Sequence, residues 1–349
     1  MSGDLVRPAG PGSGRGSGTV VMADVAKLAG VSPMTVSRVL NSPARVRRET
    51  RLRVLDAVRE LGYRPNSAAR VLATGRSGVL GVVGFDTTLY GPASMLFGIE
   101  QAARETEYGV TITSLAALTQ RNVAEAVDRL RGQSVDGVII IAPHVPSVDG
   151  LADVSAGLPV VAVGGGDGGV IPVAAVDQYA GAAAATRHLL DLGHRTVWHL
   201  AGPSDWLEAG ARRQAWEDTL RAAGREVPPV VFGDWSPRSG YEFGKRLAGD
   251  PSVTAVFTAN DQMAVGLIRA LHEAGRRIPG DISVVGFDDV PEAAYLSPPL
   301  TTVGQDFGQV GRHALQLLLE RIGGAPAEED RRIIVEPELI VRQSTGRPG

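Results

Sequence analysis

Hydrophobic residues change their spacing near residue 79, and this change divides the chain into two parts. Before it they recur every three to four positions, as on one face of a helix. After it, short apolar runs typical of buried strands alternate with helical patterns. The first part is therefore predicted to be all-helical, and the second to be an α/β structure built on doubly wound parallel sheets.

The first part is predicted to contain three helices, over residues 22–29, 33–40 and 48–61. Ser32 and Pro33 mark the start of the second helix, because serine caps free amide groups and proline fits the first helical position. The expected core between the helices consists of Val25, Leu28, Val36, Leu40, Val54, Val58 and Leu61.

The second predicted helix presents a small, mostly polar face to the outside. An exposed helix with hydroxyl groups and one arginine suits the major groove of DNA, where hydroxyls bind phosphates and arginine binds guanine bidentately. A three-helix bundle with a merely solvated face would show the same spacing. The outward residues are Pro33, Met34, Thr35, Ser37 and Arg38.

The second part runs twice through an alternation of strands and helices. Its first series of strands is "VLGVVG", "GVTIT", "GVIII", "PVVAV" and "VAAV", and its second is "TVWHL", "PVVF", "TAVF" and "ISVVG". Two α/β lobes in series predict a cleft between the carboxyl ends of two sheets, where open sheets bind ligands. Helices are predicted over 94–106, 123–131, 209–223, 240–247 and 263–274.

Charge is distributed unevenly along the chain. Residues 1–78 carry 13 lysines and arginines against 5 acidic residues, whereas the remaining residues carry 22 against 33. A basic head on an acidic body indicates that a polyanion meets only the head. Residues 1–18 contain six glycines, two prolines and few apolar side chains, so they are expected to form a disordered tail.

The composition excludes several classes of protein. The 349 residues include no cysteine, which rules out disulfides, thiolate zinc sites and cysteine nucleophiles and fits a cytoplasmic protein. No segment reaches the roughly 20 apolar residues of a membrane span, and the N-terminus lacks the apolar core of a signal peptide. We expect no membrane partner, no metal and no cofactor.

Three motifs that resemble catalytic sites are explained without catalysis. The run 164–169 has the G-x-G-x-x-G spacing, but a strand follows it, so the helix N-terminus that would hold a pyrophosphate is absent. His194 and His199 have no carboxylate partner at metal-ligand spacing. Asp288 and Asp289 follow a strand beside the expected cleft, where binding of hydroxyl groups explains them. An enzyme is not predicted.

Five segments resemble, in the same order, the LacI/GalR family of transcriptional regulators. They are "MADVAKLAGVSPMTVSRVLN", "LGYRPNSAARVLATGRSG", "TANDQMAVG", "DISVVGFDD" and "PPLTTVGQDF", and the resemblance runs from about Val21 to Ser344. It implies a helix-turn-helix DNA-binding head and a core of two lobes like that of type I periplasmic binding proteins. The expected segments are a tail at 1–18, the head at 19–63, a hinge helix and linker at 64–78, and a ligand-binding and dimerisation core at 79–345, with lobe 1 at 79–176 and 307–334 and lobe 2 at 177–306 and 335–345.

For the head, the resemblance implies a homodimer on a palindromic double-stranded DNA operator. Pro33, Met34 and Arg38 match positions that contact base edges. Leu72 falls where the family inserts an apolar wedge from the hinge helix into the minor groove, and Ala69 lies on the same side. The remaining DNA-binding positions are Ser32, Thr35, Ser37 and Asn41, which match phosphate contacts, and Asn66 at the start of the hinge helix.

For the core, the resemblance implies a small sugar bound between the lobes. Arg212 would donate to adjacent sugar hydroxyls, because a guanidinium presents parallel donors. Trp235 would offer a flat apolar face to the sugar ring, and Asn260 and Asp288 would bind its edge. Further positions matching the walls and edge of this site are Leu89, Pro92, Trp206, Gln305 and Phe307.

One departure from the family pattern bears on the identity of the sugar. Lactose-type members carry an acidic sugar ligand after the fourth strand, whereas this chain has Val163 or Gly164 there, with Asp167 as an alternative. This departure leaves the exact sugar open, whereas Trp235 and the surrounding lactose-type residues favour a β-galactoside or a β-glucoside.

Together these features predict a cytoplasmic, nucleoid-associated repressor of carbohydrate utilisation genes. Sugar binding would close the lobes, separate the two hinge helices and release the operator. A dimer is expected rather than a tetramer, because no leucine heptads follow "IIVEPELIVRQSTGRPG". Two alternatives remain: a regulator of the same family whose ligand strengthens DNA binding, and an exported sugar-binding protein, which would need a signal peptide and no basic head.

Overall fold

The computed structural model describes residues 20–41, 46–63, 75–115, 119–141, 157–165, 171–326, 328 and 330–349. The chain divides into two compact units, Met1–Ser77 and Gly78–Gly349. Several predicted features lie outside the described residues, namely the tail at 1–18, the hinge helix with Asn66, Ala69 and Leu72, and Asp167.

The first unit contains the three predicted helices. They are α1 (Met22–Ala29), α2 (Pro33–Asn41) and α3 (Arg48–Leu61), and their bounds agree with the prediction to within one residue. Ser32 caps α2 as expected, since its Oγ accepts a hydrogen bond from the backbone N–H of Thr35 at 3.1 Å. The short helix α2 is thereby held at its start.

One predicted core residue of the first unit is wrong. Leu28 is 46% exposed, because the buried face of α1 consists of Val25, Ala26 and Ala29 and leaves position 28 on the outer side. The other predicted core residues are confirmed as fully or partly buried members of one cluster: Val25, Val36, Leu40, Val54, Val58 and Leu61.

The second unit has the α/β architecture expected from its alternating pattern. Among the described residues, no helix is long and apolar enough to cross a bilayer. In chain order its elements are β1 (Val79–Phe85), α4 (Tyr90–Glu105), β2 (Gly109–Leu115), α5 (Gln120–Gly132), β3 (Gly137–Ile141), β4 (Val160–Val163), β5 (Val173–Val176), α6 (Gln178–Asp191), β6 (Trp198–Ala201), α7 (Leu207–Ala222), β7 (Val231–Phe232), α8 (Pro237–Leu247), β8 (Ala255–Thr258), α9 (Asp261–Glu273), β9 (Ser283–Asp288), a short 3-10 helix (Pro291–Tyr295), β10 (Thr301–Gly304), α10 (Phe307–Ile322), β11 (Arg332–Val335) and β12 (Glu338–Ile340).

These strands form two six-stranded sheets, one in each lobe. The sheet of lobe 1 has the order β11-β5-β4-β3-β1-β2 and is entirely parallel. Its middle strands β3, β4 and β5 are buried along their whole length, because helices cover both faces. The cores above and below the sheet fill with aliphatic side chains.

The sheet of lobe 2 has the order β12-β10-β9-β8-β6-β7. All pairs are parallel except β10 with β12, which is antiparallel. The predicted strand "PVVF" is shorter than expected, since β7 comprises only Val231 and Phe232. Pro229 lacks the N–H that a paired strand needs, so pairing starts after it.

The chain passes between the lobes three times, after β5, after β10 and after β11. β5 and β11 are neighbours at one edge of lobe 1, and β10 and β12 are neighbours at one edge of lobe 2. Asp177 in the first crossing donates its N–H to the carbonyl of Val335, where the third begins, at 2.9 Å. The crossings therefore lie side by side along one edge of the cleft.

Glycines allow two pairs of helices to approach closely. A Cβ on Gly240 of α8 would overlap the carbonyl oxygen of Met263 in α9, and a Cβ on Gly266 of α9 would overlap that of Pro237. α4 and α10 of lobe 1 cross in the same manner at Gly98 and Gly311. These contacts fix the helices that start at the cleft.

Candidate functional site

A cavity of about 280 Å³ lies in the cleft, with walls from both lobes. The structure brings all nine residues predicted to bind a ligand to the lining of this cavity. Those in lobe 1 are Leu89, Pro92 and Phe307, and those in lobe 2 and the crossings are Trp206, Arg212, Trp235, Asn260, Asp288 and Gln305.

Most of these residues lie where a strand ends and the next helix begins. Leu89, Trp206 and Asn260 directly precede α4, α7 and α9. Asn260 also fixes its own position, since its Oδ1 accepts from the N–H of Met263 at 3.0 Å and its Nδ2 donates to the carbonyl of Trp235 at 3.1 Å. The turns of two open sheets therefore build the cavity at their carboxyl ends.

One side of the cavity carries a closed ring of four polar side chains. Arg212 Nε donates to Gln178 Oε1 at 2.9 Å, and Gln178 Nε2 donates to Gln305 Oε1 at 2.8 Å. Gln305 Nε2 donates to Asp288 Oδ1 at 2.7 Å, and this oxygen lies 3.7 Å from Arg212 Nη2. Because Gln178 and Gln305 belong to two crossings, the ring joins the cavity wall to the segments between the lobes.

Arg212 is held as a buried cation. Its side chain is 6% exposed, its Nη1 donates to the carbonyl of Ala259, and its Cζ lies 3.8 Å from the centre of the Phe287 ring. Burial lowers the pKa of Arg212, and the carboxylate of Asp288 opposes this effect. Burial also raises the pKa of Asp288 to about 6, against the influence of Arg212 and Gln305.

Aromatic rings also line the cavity, and one of them, Trp235, has its ring centre 5.7 Å from the Arg212 Cζ. Trp206 and Trp235 meet edge to face with their ring centres 5.3 Å apart, and Tyr90 and Phe307 do so at 6.1 Å. Trp235 adopts a φ of 69°, and its ring occupies the space that a Cβ on Gly202 would need. The strained backbone and the glycine together hold the indole against the cavity.

Several lining residues were missed by the sequence analysis. Gln178 lies two residues after the end of β5, so its place at a carboxyl strand end was a signal that could have identified it. Glu208 lies in the first turn of α7 among other charged residues, where no sequence pattern distinguishes it from a surface position. The others are Thr88, Tyr90, Gly91, Met95, Ile141, Ser236, Pro237 and Gln262.

Glu208 makes a contact between the lobes. Its Oε1 accepts a hydrogen bond from the N–H of Gly165, in lobe 1, at 3.2 Å. Its Oε2 is buried and has no hydrogen-bond partner among the described residues. Burial raises the pKa of Glu208 to about 7, an effect that its own backbone N–H, Arg212 and the Gly165 N–H reduce.

His194 and His199 are held by hydrogen bonds and ring packing inside lobe 2. His194 Nδ1 is 2.9 Å from Thr254 Oγ1, and its Nε2 is 3.1 Å from Ser283 Oγ. His199 stacks on Phe257 with ring centres 4.7 Å apart, and burial lowers its pKa to about 3. Within the described ranges, no group of three or more acidic or histidine side chains could hold a metal ion.

The predicted recognition helix α2 presents its expected outer face. Val36 and Val39 are its buried residues, whereas Met34 is 66% exposed and Arg38 is also exposed. Arg38 Nη2 lies 3.9 Å from Met34 Sδ, so the two side chains form one patch. Pro33 is exposed, and Thr35 and Ser37 are half-buried. The backbone of Asn41 ends α2, and its side chain lies outside the described residues.

The hydroxyl groups at the start of α2 are paired with each other. Ser32 Oγ and Thr35 Oγ1 are 2.9 Å apart. Both groups lie at the helix N-terminus, where free amides and hydroxyls favour an anion such as a phosphate.

Comparisons with known proteins agree with this arrangement. Residues 21–66 match the model of bacterial regulatory proteins of the lacI family, and residues 186–345 match the periplasmic binding protein-like domain. The transcriptional regulator CelR of Thermobifida fusca is 35% identical over 92% of this chain and 96% of its own. The transcriptional repressor PurR of Pasteurella multocida is 34% identical over 92% and 97%, and the lactose operon repressor of Escherichia coli is 33% identical over 94% and 91%.

Solved structures show the same fold. The Lac repressor dimer bound to operator and the anti-inducer ONPF superimposes with a TM-score of 0.83 at 32% identity, covering 94% of this chain and all of that chain. A CelR–cellobiose complex superimposes with a TM-score of 0.69 at 32% identity, covering 93% and 99%. The chain therefore belongs to the lacI family of bacterial regulatory proteins and is a transcriptional regulator, not an enzyme.

Proposed function

We propose that the protein is a homodimeric repressor that leaves a palindromic operator when a small β-glucoside or β-galactoside occupies the cavity. The cavity carries this proposal, because a ring of polar side chains and several aromatic rings line it together. Polar groups bind the hydroxyl edge of a sugar, and flat rings cover its apolar face. The regulated genes are then those of carbohydrate utilisation, and the protein acts in the cytoplasm at the nucleoid.

The size of the cavity and two relatives support a small sugar. About 280 Å³ lies just below the roughly 300–1,000 Å³ usual for small-molecule sites, which favours a mono- or disaccharide. One solved relative is a complex with cellobiose, a β-glucoside, and another is a Lac repressor bound to ONPG.

Coupling to DNA requires that the sugar bind one arrangement of the lobes better than another. A ligand with equal affinity for both arrangements would shift nothing. A sugar between the polar ring of lobe 2 and Leu89, Pro92 and Phe307 of lobe 1 contacts both lobes and so favours closure. Movement of lobe 1 then separates the hinge segments at 64–78, and operator affinity falls.

Thermal unfolding with cellobiose and lactose tests the cavity. At a hundredfold excess over its dissociation constant, a ligand adds about 2.7 kcal/mol to the unfolding free energy. Arg212→Lys keeps the buried charge but not the planar fork, so we expect it to lose the shift in melting temperature. Arg213→Lys, next along α7, should respond like the wild type. If neither sugar shifts the wild type, the sugar assignment is wrong.

The sign of the ligand effect separates this proposal from a co-repressor. The second candidate is a regulator of the same family in which a nucleobase strengthens DNA binding. A palindrome is first selected from random DNA, once with the unliganded protein and once with the ligand-saturated protein. Fluorescence anisotropy then measures whether the ligand weakens or strengthens binding to this DNA. Release by cellobiose or lactose supports induction, whereas tighter binding with a nucleobase supports the second candidate.

Arg38 is proposed to read a base, so Arg38→Ala should relax sequence preference. A bidentate arginine–guanine contact contributes about 1–3 kcal/mol of discrimination, or roughly 5–150-fold. Binding to the selected palindrome and to its single-base variants measures the loss. Arg59→Ala, an exposed arginine of α3 paired with Asp56, is the control and should keep the preference. Equal loss on palindromic and scrambled DNA would contradict the assignment.

A second copy of the chain is proposed to cover apolar side chains that are exposed on both lobes. Phe97 is 65% and Tyr295 is 88% exposed, and the operator-bound neighbour is a dimer. Tyr295→Asp should shift sedimentation equilibrium from dimer towards monomer, whereas Tyr295→Phe should not. A wild-type monomer, or a tetramer stable in high salt, would contradict the dimer.

A further inference from the structure

Glu208 is a buried carboxyl group with only one of its two oxygens in use. It is 6% exposed and lines the cavity, and its Oε2 has no hydrogen-bond partner in the described part of the chain. A buried acceptor without a partner is costly, and such groups in native proteins usually have a functional cause. A donor supplied by the ligand would satisfy it.

The oxygen in use binds the opposite lobe. Glu208 Oε1 accepts from the N–H of Gly165, which follows β4. The backbone there is close to lobe 2, because a Cβ on Gly165 would overlap Leu207. Gly164 and Gly165 present no side-chain donor or acceptor, so the carboxyl group at this contact comes from lobe 2.

The charges around the cavity leave Glu208 without a counter-ion of its own. The cation of Arg212 lies 3.7 Å from Asp288 and forms the closed ring with Gln178 and Gln305. Arg212 lowers the pKa of Glu208 and Asp288 raises it, but the effect of burial is larger than either. A hydroxyl group of the ligand that donates to the free oxygen of Glu208 would stabilise its carboxylate, and no further charged side chain would be needed.

We propose that Glu208 is a specificity-determining ligand contact, whose free oxygen accepts a hydrogen bond from a sugar hydroxyl while the other oxygen holds lobe 1. This inference rests on the proposed sugar-binding function and names one of its contacts. One side chain then joins the ligand to the contact between the lobes. A hydroxyl at the matching sugar position is required, and a deoxy sugar lacking it is rejected.

Calorimetry with cellobiose and lactose, on the wild type, Glu208→Gln and a control, tests the contact. Glu208→Gln keeps an oxygen for the Gly165 N–H but replaces the charged acceptor, so we expect roughly tenfold weaker binding or more. Glu217→Gln, on the same helix outside the cavity, should bind like the wild type. Monodeoxy forms of the bound sugar identify the hydroxyl, since one of them should bind the wild type and Glu208→Gln equally.

The unliganded proteins separate a ligand contact from a purely structural role. At pH 8.5 the Glu208 carboxyl is ionised and buried, whereas the amide in Glu208→Gln is neutral. We therefore expect the empty variant to melt at or above the wild-type temperature. Lower melting would show that the carboxylate serves the fold and would overturn the inference.

The outcomes also distinguish this inference from the function on which it rests. If the wild type binds neither sugar, the sugar assignment fails, and the Glu208 contact fails with it. If the wild type and Glu208→Gln bind a sugar equally, only the Glu208 contact fails. Both the sugar assignment and the Glu208 contact are supported if Glu208→Gln binds the intact sugar more weakly than the wild type does, while one monodeoxy sugar binds the two proteins equally.

Discussion

Three buried carboxyl groups of lobe 2 stand out among individual residues. Burial raises the pKa of Asp261 to about 8, of Glu208 to about 7 and of Asp288 to about 6. Asp261 lies behind the cavity, where it accepts hydrogen bonds from Thr302 Oγ1 at 2.7 Å and from the N–H of Val290 at 3.0 Å. Each group holds a proton more tightly in the folded chain than in the unfolded chain.

We predict that the unliganded protein loses stability as the pH rises from 6.5 to 8.5. In this range the folded state binds more protons than the unfolded state, because Glu208 and Asp261 deprotonate there only when folded, so the unfolding free energy falls. Below pH 6.5, buried histidines such as His199 act in the opposite direction. Melting temperatures across this range measure the effect.

Two asparagine variants identify the source of this pH dependence. Asp261→Asn removes a group that titrates near pH 8 and should flatten the fall. Asp250→Asn removes an exposed carboxylate whose pKa is lowered by hydrogen bonds from Ser252, so it should leave the slope above pH 6.5 unchanged. A melting temperature that rises between pH 6.5 and 8.5 would contradict the prediction.

At the scale of residues, the sequence identified the cavity through family motifs but missed its contact between lobes. Arg212 and Asp288 belong to recognisable segments, whereas Glu208 follows ordinary helical spacing and acquires its role only from the opposite lobe. The sequence carries Val163 and Gly164 where lactose-type members of the family have an acidic sugar ligand. The structure places the Glu208 carboxyl against the next residue, Gly165, which no local pattern could indicate.

At the scale of elements, the predicted helices exist but begin earlier than periodicity indicated. α5 starts at 120 instead of 123, α8 at 237 instead of 240 and α9 at 261 instead of 263. The side chains of their caps Thr119, Ser236 and Asn260 each accept a hydrogen bond from the backbone N–H three residues ahead. The first turns of α8 and α9 face the cavity, so they lack the apolar positions that a periodicity argument needs.

The close crossing of α8 and α9 predicts that alanine in place of a helix glycine destabilises the protein, although alanine is usually the more favourable residue inside a helix. Gly240→Ala improves helix propensity by up to about 1 kcal/mol. It also drives a Cβ into the backbone of Met263, which can yield only by separating the helices. We expect a net loss of about 1–3 kcal/mol in unfolding free energy, as for other overpacked cores, measured by urea denaturation.

Gly210→Ala is the matched control for this prediction. Gly210 lies inside α7, and a Cβ there would meet nothing within 4 Å. The same substitution should stabilise the protein by about 0.4–1 kcal/mol, because it restricts the unfolded chain without strain in the folded one. If both variants shift stability in the same direction, the close approach of α8 and α9 does not set the result.

At the scale of the whole molecule, Gly165 controls how closely the lobes approach. Gly165→Val would place a branched side chain against Leu207, so we expect it to keep the cleft open. Small-angle scattering should show a larger radius of gyration, and sugar affinity should fall by tenfold or more, since closure then costs more. Gly132→Val, where a Cβ meets nothing within 4 Å, is the control and should change neither quantity.

The path of the chain between the lobes was the least predictable feature of the fold. Apolar runs predict strands, but they do not say which sheet a strand joins. β11 ends at Val335 and β12 begins at Glu338, yet the first belongs to lobe 1 and the second to lobe 2. The expected boundary between 334 and 335 therefore falls inside β11, because pairing with β5 continues through Val335.

The three crossings lie at one edge of the cleft, so we expect the lobes to open and close by rotating about an axis at that edge. β1, which receives the chain from the first unit, lies three strands away from β5 in the sheet of lobe 1. Three strand spacings place β1 about 14 Å from this axis. A rotation of lobe 1 by roughly 10° about the axis therefore moves β1 by about 2.5 Å relative to lobe 2. Under the proposed function, closure around the sugar therefore displaces lobe 1 most at the side where the chain connects to the helices proposed to bind DNA.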